Sequence, residues 1–185
     1  MAIKKRVISI IAMTLIIMTT LSAVASIGPL FVHAAPTAKT FGYETIGAYT
    51  DRTPAGHKDS SRYQAPENGI INSISMYIQT DGAQIRYGVY SDNNGKPDKL
   101  LGQSDMVTTT ANSWVSAPLS VPVVAGQYYW LTITANSMVY WNCDFGGSAG
   151  NGFEPTANFA ATYGEFIPWG TAKFSMYATY TPSVD

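Results

Sequence analysis

The chain has a single cysteine, Cys143, so no disulfide can form within it and packing alone must hold the fold together. Charge is also scarce, with Asp, Glu, Lys and Arg making up 12% of the 185 residues. No run of Lys or Arg occurs after residue 6, and beyond residue 34 only 8 basic side chains face 12 acidic ones. A nucleic-acid surface needs clustered basic charge, so nucleic acid is excluded as a partner. Histidine is nearly missing: His57 is the only one after residue 34, which excludes a three-histidine zinc site. Helix-period apolar spacing is absent after residue 40.

What is present begins with an export signal. Lys4, Lys5 and Arg6 form a charged start, Val7 to Leu21 run apolar, and small-residue exits follow at Ala23-Val24-Ala25 and Val32-His33-Ala34. This pattern predicts an apolar signal helix over 1–34 and a site of action that is extracellular or at the cell surface. Ser22, Ser26, Gly28 and Pro29 dilute its second half as a cleavage region does, yet Val7 to Val32 carries no charge and is long enough to remain as an anchor. A cut after Ala25, a cut after Ala34 and a retained anchor therefore stay open. A prepilin cut is disfavoured because Lys5-Arg6-Val7 lacks the small residue such a cut requires. Membrane contact is expected through this segment only. Removing it leaves 151 residues, the size of one domain. They divide into a lead-in at 35–40, a domain over 41–181 and a tail at 182–185.

Within that domain, period-2 alternation recurs between turn signals. Over 70–78, Ile70, Ile74, Met76 and Ile78 share one face with Asn72 as a misfit, which predicts a half-buried strand. Ile85, Tyr87 and Val89 repeat the pattern after Asp81-Gly82, a tight-turn dipeptide that predicts a hairpin between the two strands. A loop from Ser91 to Lys99 carries Asn94-Gly95 and Pro97 and turns the chain. Further strands are expected at Phe41–Tyr49, Ser61–Ala65, Leu100–Thr108, Trp114–Val124, Tyr128–Thr134, Met138–Asp144, Phe159–Tyr163 and Phe174–Thr181. Residues 142–171 are glycine-rich and weakly patterned. About ten short strands in one domain predict an all-β fold, a two-sheet antiparallel sandwich of jelly-roll type. Cys143 shares parity with Val139 and Trp141, which marks it as an apolar filler.

The run Trp114-Val115-Ser116-Ala117-Pro118-Leu119-Ser120-Val121-Pro122-Val123-Val124-Ala125-Gly126-Gln127-Tyr128-Tyr129-Trp130-Leu131 resembles a signature of exported β-sandwich modules. Gly69-Ile70-Ile71-Asn72-Ser73-Ile74-Ser75-Met76-Tyr77 resembles their Gly-x-Ile-x-x-Ile-x-x-Tyr strand, and Gly88-Val89-Tyr90-Ser91-Asp92 with Leu100-Leu101-Gly102 resembles their second hairpin. Such modules occur in archaeal and bacterial surface proteins and beside carbohydrate-active enzymes. The resemblance spans most of 41–181. It implies a jelly-roll-like sandwich with an extracellular, non-catalytic role, and it places Trp114 in the core.

Four Trp and 12 Tyr, all beyond residue 34, supply flat rings that can stack on sugar faces while Asn, Asp or Gln bind the hydroxyls. Tyr90, Tyr128 and Trp130 have outward parity if Val89, Leu131 and Ile133 point inward. Tyr163, Phe166 and Trp169 lie in the glycine-rich stretch. These six are the expected ligand-binding residues, and the expected partner is a polysaccharide or cell-envelope glycan. Rings that merely pack on an outer sheet face or under the long loop are the alternative.

Catalysis has little to rest on. Glycan hydrolysis needs two carboxylates across a cleft, and Glu44, Asp144, Glu154 and Glu165 are raw material whose convergence sequence does not reveal. Gly146-Gly147-Ser148-Ala149-Gly150 spells a hydrolase elbow, but no helical pattern follows Ser148 and no histidine lies after it. Asp92-Asn93-Asn94-Gly95-Lys96-Pro97-Asp98 carries oxygen ligands that suit Ca²⁺, yet it lacks EF-hand spacing and contains Lys96. Asp51 and Asp59 around Gly56 make a weaker case of the same kind. No enzyme activity, cofactor or metal is expected. A second kind of function stays open, a structural subunit whose strand over 41–49 exchanges into the sheet of a neighbouring copy to build a homo-polymer.

Overall fold

The computed structural model describes residues 36–147, 150–156 and 158–183; the expected signal over 1–34 and Ser148 lie outside the described residues. Fourteen strands form two antiparallel sheets, with no helix among the described residues. The first sheet contains β1 (Lys39–Gly42), β2 (Tyr49–Thr53), β4 (Gly69–Ile78), β8 (Ser113–Val123), β10 (Val139–Asp144), β13 (Lys173–Phe174) and β14 (Met176–Pro182). The second contains β3 (Lys58–Gln64), β5 (Gln84–Asn93), β6 (Lys96–Gln103), β7 (Val107–Thr108), β9 (Tyr128–Ala135), β11 (Asn151–Glu154) and β12 (Ile167–Gly170). The chain crosses repeatedly between them, as a jelly-roll-like sandwich requires. β14 and β8 flank β4 in the first sheet, whereas β12-β11-β3-β9-β5-β6 is the order of the second.

Alternate side chains build the interior. Ile74, Met76 and Ile78 of β4 meet Ile85, Tyr87 and Val89 of β5, Leu131 and Ile133 of β9, and Val139, Trp141 and Cys143 of β10, all fully buried. Burying each large apolar side chain is worth about 1.5–3 kcal/mol, which lets the sandwich stand without a crosslink. Cys143 is thus the apolar filler that its parity indicates, and burial pushes its thiol up to about 11.

Several expectations are corrected. The Asn72 misfit marks a β-bulge opposite β14, whose consecutive Thr179 and Tyr180 pair with Ser73 and Ile71; the extra residue swaps the faces, so Ile71 is buried and Ile70 is exposed. Asp81-Gly82 does not close a hairpin: β4 and β5 lie in opposite sheets, because their apolar faces must meet across the core. The hairpin forms instead at Asn94-Gly95, where Asn93 pairs with Lys96 and both turn residues have positive φ (52° and 80°). The predicted strand over 41–49 is two separate strands, β1 and β2. β1 pairs with β14 of its own chain, Lys39 opposite Tyr180 through Gly42 opposite Tyr177, so the strand-exchange reading gains no support. Phe159–Tyr163 is not a strand; only Thr162 bridges to Lys99. Pro182 belongs to β14 and not to a tail.

Candidate functional site

The outer face of the second sheet is where sequence parity directs Tyr90 and Trp130, and that parity is correct: their neighbours Val89 and Leu131 point into the main core. Water is nevertheless excluded. Residues 158–166, between β11 and β12, fold over this face and seal Tyr90, Trp130 and Tyr163 in a second apolar cluster with Leu100, Phe159 and Phe166. Tyr90 and Tyr163 meet edge to face at 4.9 Å, as do Trp130 and Phe166 at 5.0 Å. The Phe159 ring fits over Gly88, where an added Cβ would come within 2.6 Å of it.

Buried polar groups secure the cover. Lys58 Nζ pairs with Glu154 at 2.6 Å, donates to the Asn158 carbonyl at 2.9 Å, and lies 4.6 Å from the Tyr163 ring centre. Tyr163 Oη shares a 2.9 Å hydrogen bond with Ser60. Burial raises the phenol pKa of both Tyr90 and Tyr163. Outside the cover, Arg62 stacks 3.8 Å over half-buried Tyr128 and binds Asp92 through two nitrogens, at 2.7 and 2.9 Å. Trp130 Nε1 donates to the same carboxylate at 2.8 Å and the Gly95 amide at 3.2 Å. Asp92 is therefore occupied as a strut, and the loop considered for Ca²⁺ is a hairpin turn. Among the described residues no cluster of three or more His, Cys, Asp or Glu could hold a metal.

Of the six expected ligand-binding side chains, Tyr90, Trp130 and Tyr163 are thus interior, Tyr128 and Phe166 are half-buried, and Trp169 is 45% exposed. The expectation of water-facing rings fails for the first three because a covering segment, not strand parity, sets exposure. Trp114 departs from its expected core position in the other direction. It is half-buried on the outer face of the first sheet, 5.7 Å from Tyr77 and 5.0 Å from Tyr177.

Trp169 opens onto a cleft where aromatic and acidic groups converge. A cleft of about 270 Å³ is lined by Asp51, Arg52, Pro54, His57, Asp59, Phe153 and Trp169. It lies where β2 of one sheet faces β3, β11 and β12 of the other. The His57 and Phe153 rings stack almost parallel, 5.6 Å apart with 9° between planes. Asp59 pairs with Ile133 of β9 and Phe153 of β11, which turns it to the inner side of the second sheet. It is 6% exposed, and its Oδ2 has no hydrogen-bond partner among the described residues. Burial, opposed by the Thr53 hydroxyl and assisted by the Asp51 charge, pushes the Asp59 carboxyl up to about 7. Burial raises Asp51 as well, against the Arg52 amide that binds its Oδ1 at 2.7 Å.

Sequence reading named Trp169 but gave Asp51 and Asp59 only a weak cation role and gave His57 and Phe153 none. Phe153, directly after Gly152, carries no alternation that would reveal it. Exposed Tyr49 and Phe145, 4.8 Å apart, also escaped it. A larger hollow of about 340 Å³ beside Arg86, Met106 and Phe159 has no carboxylate and none of the expected residues. The glycine run of the elbow spelling sits between β10 and β11, so a strand follows where an elbow needs a helix.

No family model matches the chain, and no curated protein matches it in sequence. Solved structures resemble the chain, among them the following two. One is described as a clostridial cysteine protease, Cwp84, after propeptide cleavage, at 10% identity and a TM-score of 0.61 over 79% of this chain and 40% of that one. The other, at 10% identity and a TM-score of 0.48 over 79% and 36%, is described as the cysteine protease and lectin-like domains of Cwp84, a surface layer associated protein of Clostridium difficile. The chain spans less than half the length of these neighbours; at 10% identity the likeness to the first is one of fold.

Proposed function

We propose that this chain is an exported, non-catalytic sandwich module that recognises polysaccharide at the cell surface, and that the Trp169 cleft is where it does so. The observation that carries the reading is the exposed Trp169 ring on the rim of a cleft that also holds the stacked His57–Phe153 pair and the polar ends of Asp51 and Arg52. A pyranose presents an apolar C–H face and a rim of hydroxyls. Trp169 offers the first a flat partner, and the carboxylate and guanidinium offer the second acceptors and donors. The signal pattern of residues 1–34 supports the location. The resemblance of residues 41–181 to sandwich modules found beside carbohydrate-active enzymes makes glycans the first ligand class to test.

Retention on a panel of insoluble and soluble glycans tests the proposal. At least one should retain the protein, and Trp169→Ala should weaken that retention by about tenfold or more, the scale of one lost central aromatic contact. Phe145→Ala, which removes an exposed ring from outside the cleft lining, should leave it unchanged. Failure of every glycan, or full retention by Trp169→Ala, removes the reading.

A further inference from the structure

Resting on that reading of the cleft, we infer that its floor selects a glycan bearing a free, positively charged amino group, with Asp59 as the carboxylate that receives the ammonium. A carboxylate removed from water needs hydrogen-bond donors and an opposite charge, or it does not remain ionised. Asp59 has neither on Oδ2, although it is only 6% exposed and lies on the cleft lining. Its neighbour Lys58 shows what this sandwich does with a buried charge that serves structure: it supplies a partner at 2.6 Å. Asp59 Oδ2 is thus an acceptor open to a donor that arrives from the cleft.

The surrounding groups fit a cation better than a neutral hydroxyl. β2 contributes Asp51, a second carboxylate, and Arg52, whose side chain is exposed and can swing to water; the β2–β3 turn contributes His57. β9, β11 and β12 contribute only Ile133, Phe153 and Trp169 around Asp59, so no fixed cation occupies the floor. An ammonium would satisfy Oδ2 with a charge-assisted hydrogen bond and would reverse the upward push that burial and Asp51 exert on the carboxyl. A hydroxyl supplies one neutral hydrogen bond and no charge. The rings of Trp169 and Phe153 require the carrier of the amine to present a flat apolar face, which an amino sugar does and a lysine side chain does not.

Calorimetric titration near pH 6.5 with hexamers of glucosamine and of N-acetylglucosamine tests this. The glucosamine hexamer should bind about tenfold more tightly, and Asp59→Asn should bring the two within about threefold while the N-acetylated hexamer keeps its affinity. Should Asp59→Asn fail to fold, Asp51→Asn, which lowers the negative charge of the same cleft, should reduce the preference, and the wild-type ratio decides by itself. Equal binding of the two hexamers overturns the inference and leaves the glycan reading in place. So does a preference that survives Asp59→Asn, or oligolysine binding more tightly than the glucosamine hexamer. Absence of binding by both hexamers, combined with Trp169-dependent retention on another glycan, also overturns the inference alone, whereas absence of all glycan binding overturns both.

Discussion

Lys58 and Asp59 are consecutive residues of β3, both more than nine-tenths buried, and they point to opposite faces of one sheet. Lys58 lies beneath the segment that covers the outer face and is matched there by Glu154, the Asn158 carbonyl and two tyrosine rings. Asp59 faces the cleft and leaves an oxygen unmatched. The same contrast runs through the aromatic residues: Tyr90, Trp130 and Tyr163 are enclosed on the Lys58 side, whereas Trp169 and the His57–Phe153 stack border the open side. A buried charge with every partner in place is a fastener. One without is a place for something else to bind.

Removing a fastener should have the largest effect. Glu154→Ala strands the Lys58 ammonium in an apolar enclosure and also takes away the acceptor of the Gly164 amide. Denaturant unfolding should show a loss of about 3–5 kcal/mol, the cost of an unpaired buried charge. A loss below about 1 kcal/mol would mean that Lys58 reaches water and that the two faces of β3 are alike.

The opposite sign is expected on the cleft side. With its folded carboxyl pushed up to about 7 from 3.8, Asp59 holds a proton in the folded protein at pH values where the unfolded chain has released it. Its contribution to stability is therefore fully present below the unfolded value, declines as pH rises, and is lost above about 7. The swing is about 4 kcal/mol at most, taking about 1.4 kcal/mol per unit. Asp59→Asn removes this ionisation, so thermal unfolding at pH 8 should show a variant more stable than the parent, with the gap narrowing as pH falls and closing only below about 3.8. A variant less stable at pH 8 would show that the carboxylate is already satisfied and that the cleft floor offers no open acceptor.

How far such a contrast can be read from sequence differs between its parts. Alternation located β4, β8, β9 and β10 within a residue or two, and even the Asn72 misfit had a structural cause in the bulge at Ile71 and Ser73. Outward parity for Tyr90 and Trp130 was legible because it depends only on chain neighbours. Their burial was not, since it depends on a distant, weakly patterned glycine-rich segment that brings Phe159, Tyr163 and Phe166 over them. β3 was only half legible, as the expected strand at Ser61–Ala65. Lys58-Asp59-Ser60-Ser61 is polar throughout, yet all four are buried, and on the outer face an ion pair of Lys58 and hydrogen bonds of Ser60 replace water. Asp59 was named only as a weak cation ligand, while Trp169 was found only as one aromatic among several.

The smallest expected effect is the one best placed to break the distinction between the two faces. Gly88 lies on the outer face opposite Thr132, and its bare backbone is what lets the Phe159 ring close over β5. Gly88→Ala introduces a methyl group that must displace that ring, a strain of about 1–3 kcal/mol borne by the covering segment and not by the main core. Hydrogen exchange should then accelerate at the Leu100 and Tyr163 amides, which bond the Ala161 and Asp98 carbonyls across the junction of cover and sheet. The β9 amides that pair with β3, such as that of Leu131, should stay protected. Loosening the cover would bring Tyr90, Trp130 and Tyr163 toward water without altering the cleft. If glycan retention is unchanged, the enclosed rings are structural and recognition belongs to the Trp169 side. Retention that strengthens in Gly88→Ala and survives Trp169→Ala would move the binding face to the covered sheet, and the cover would then be a gate.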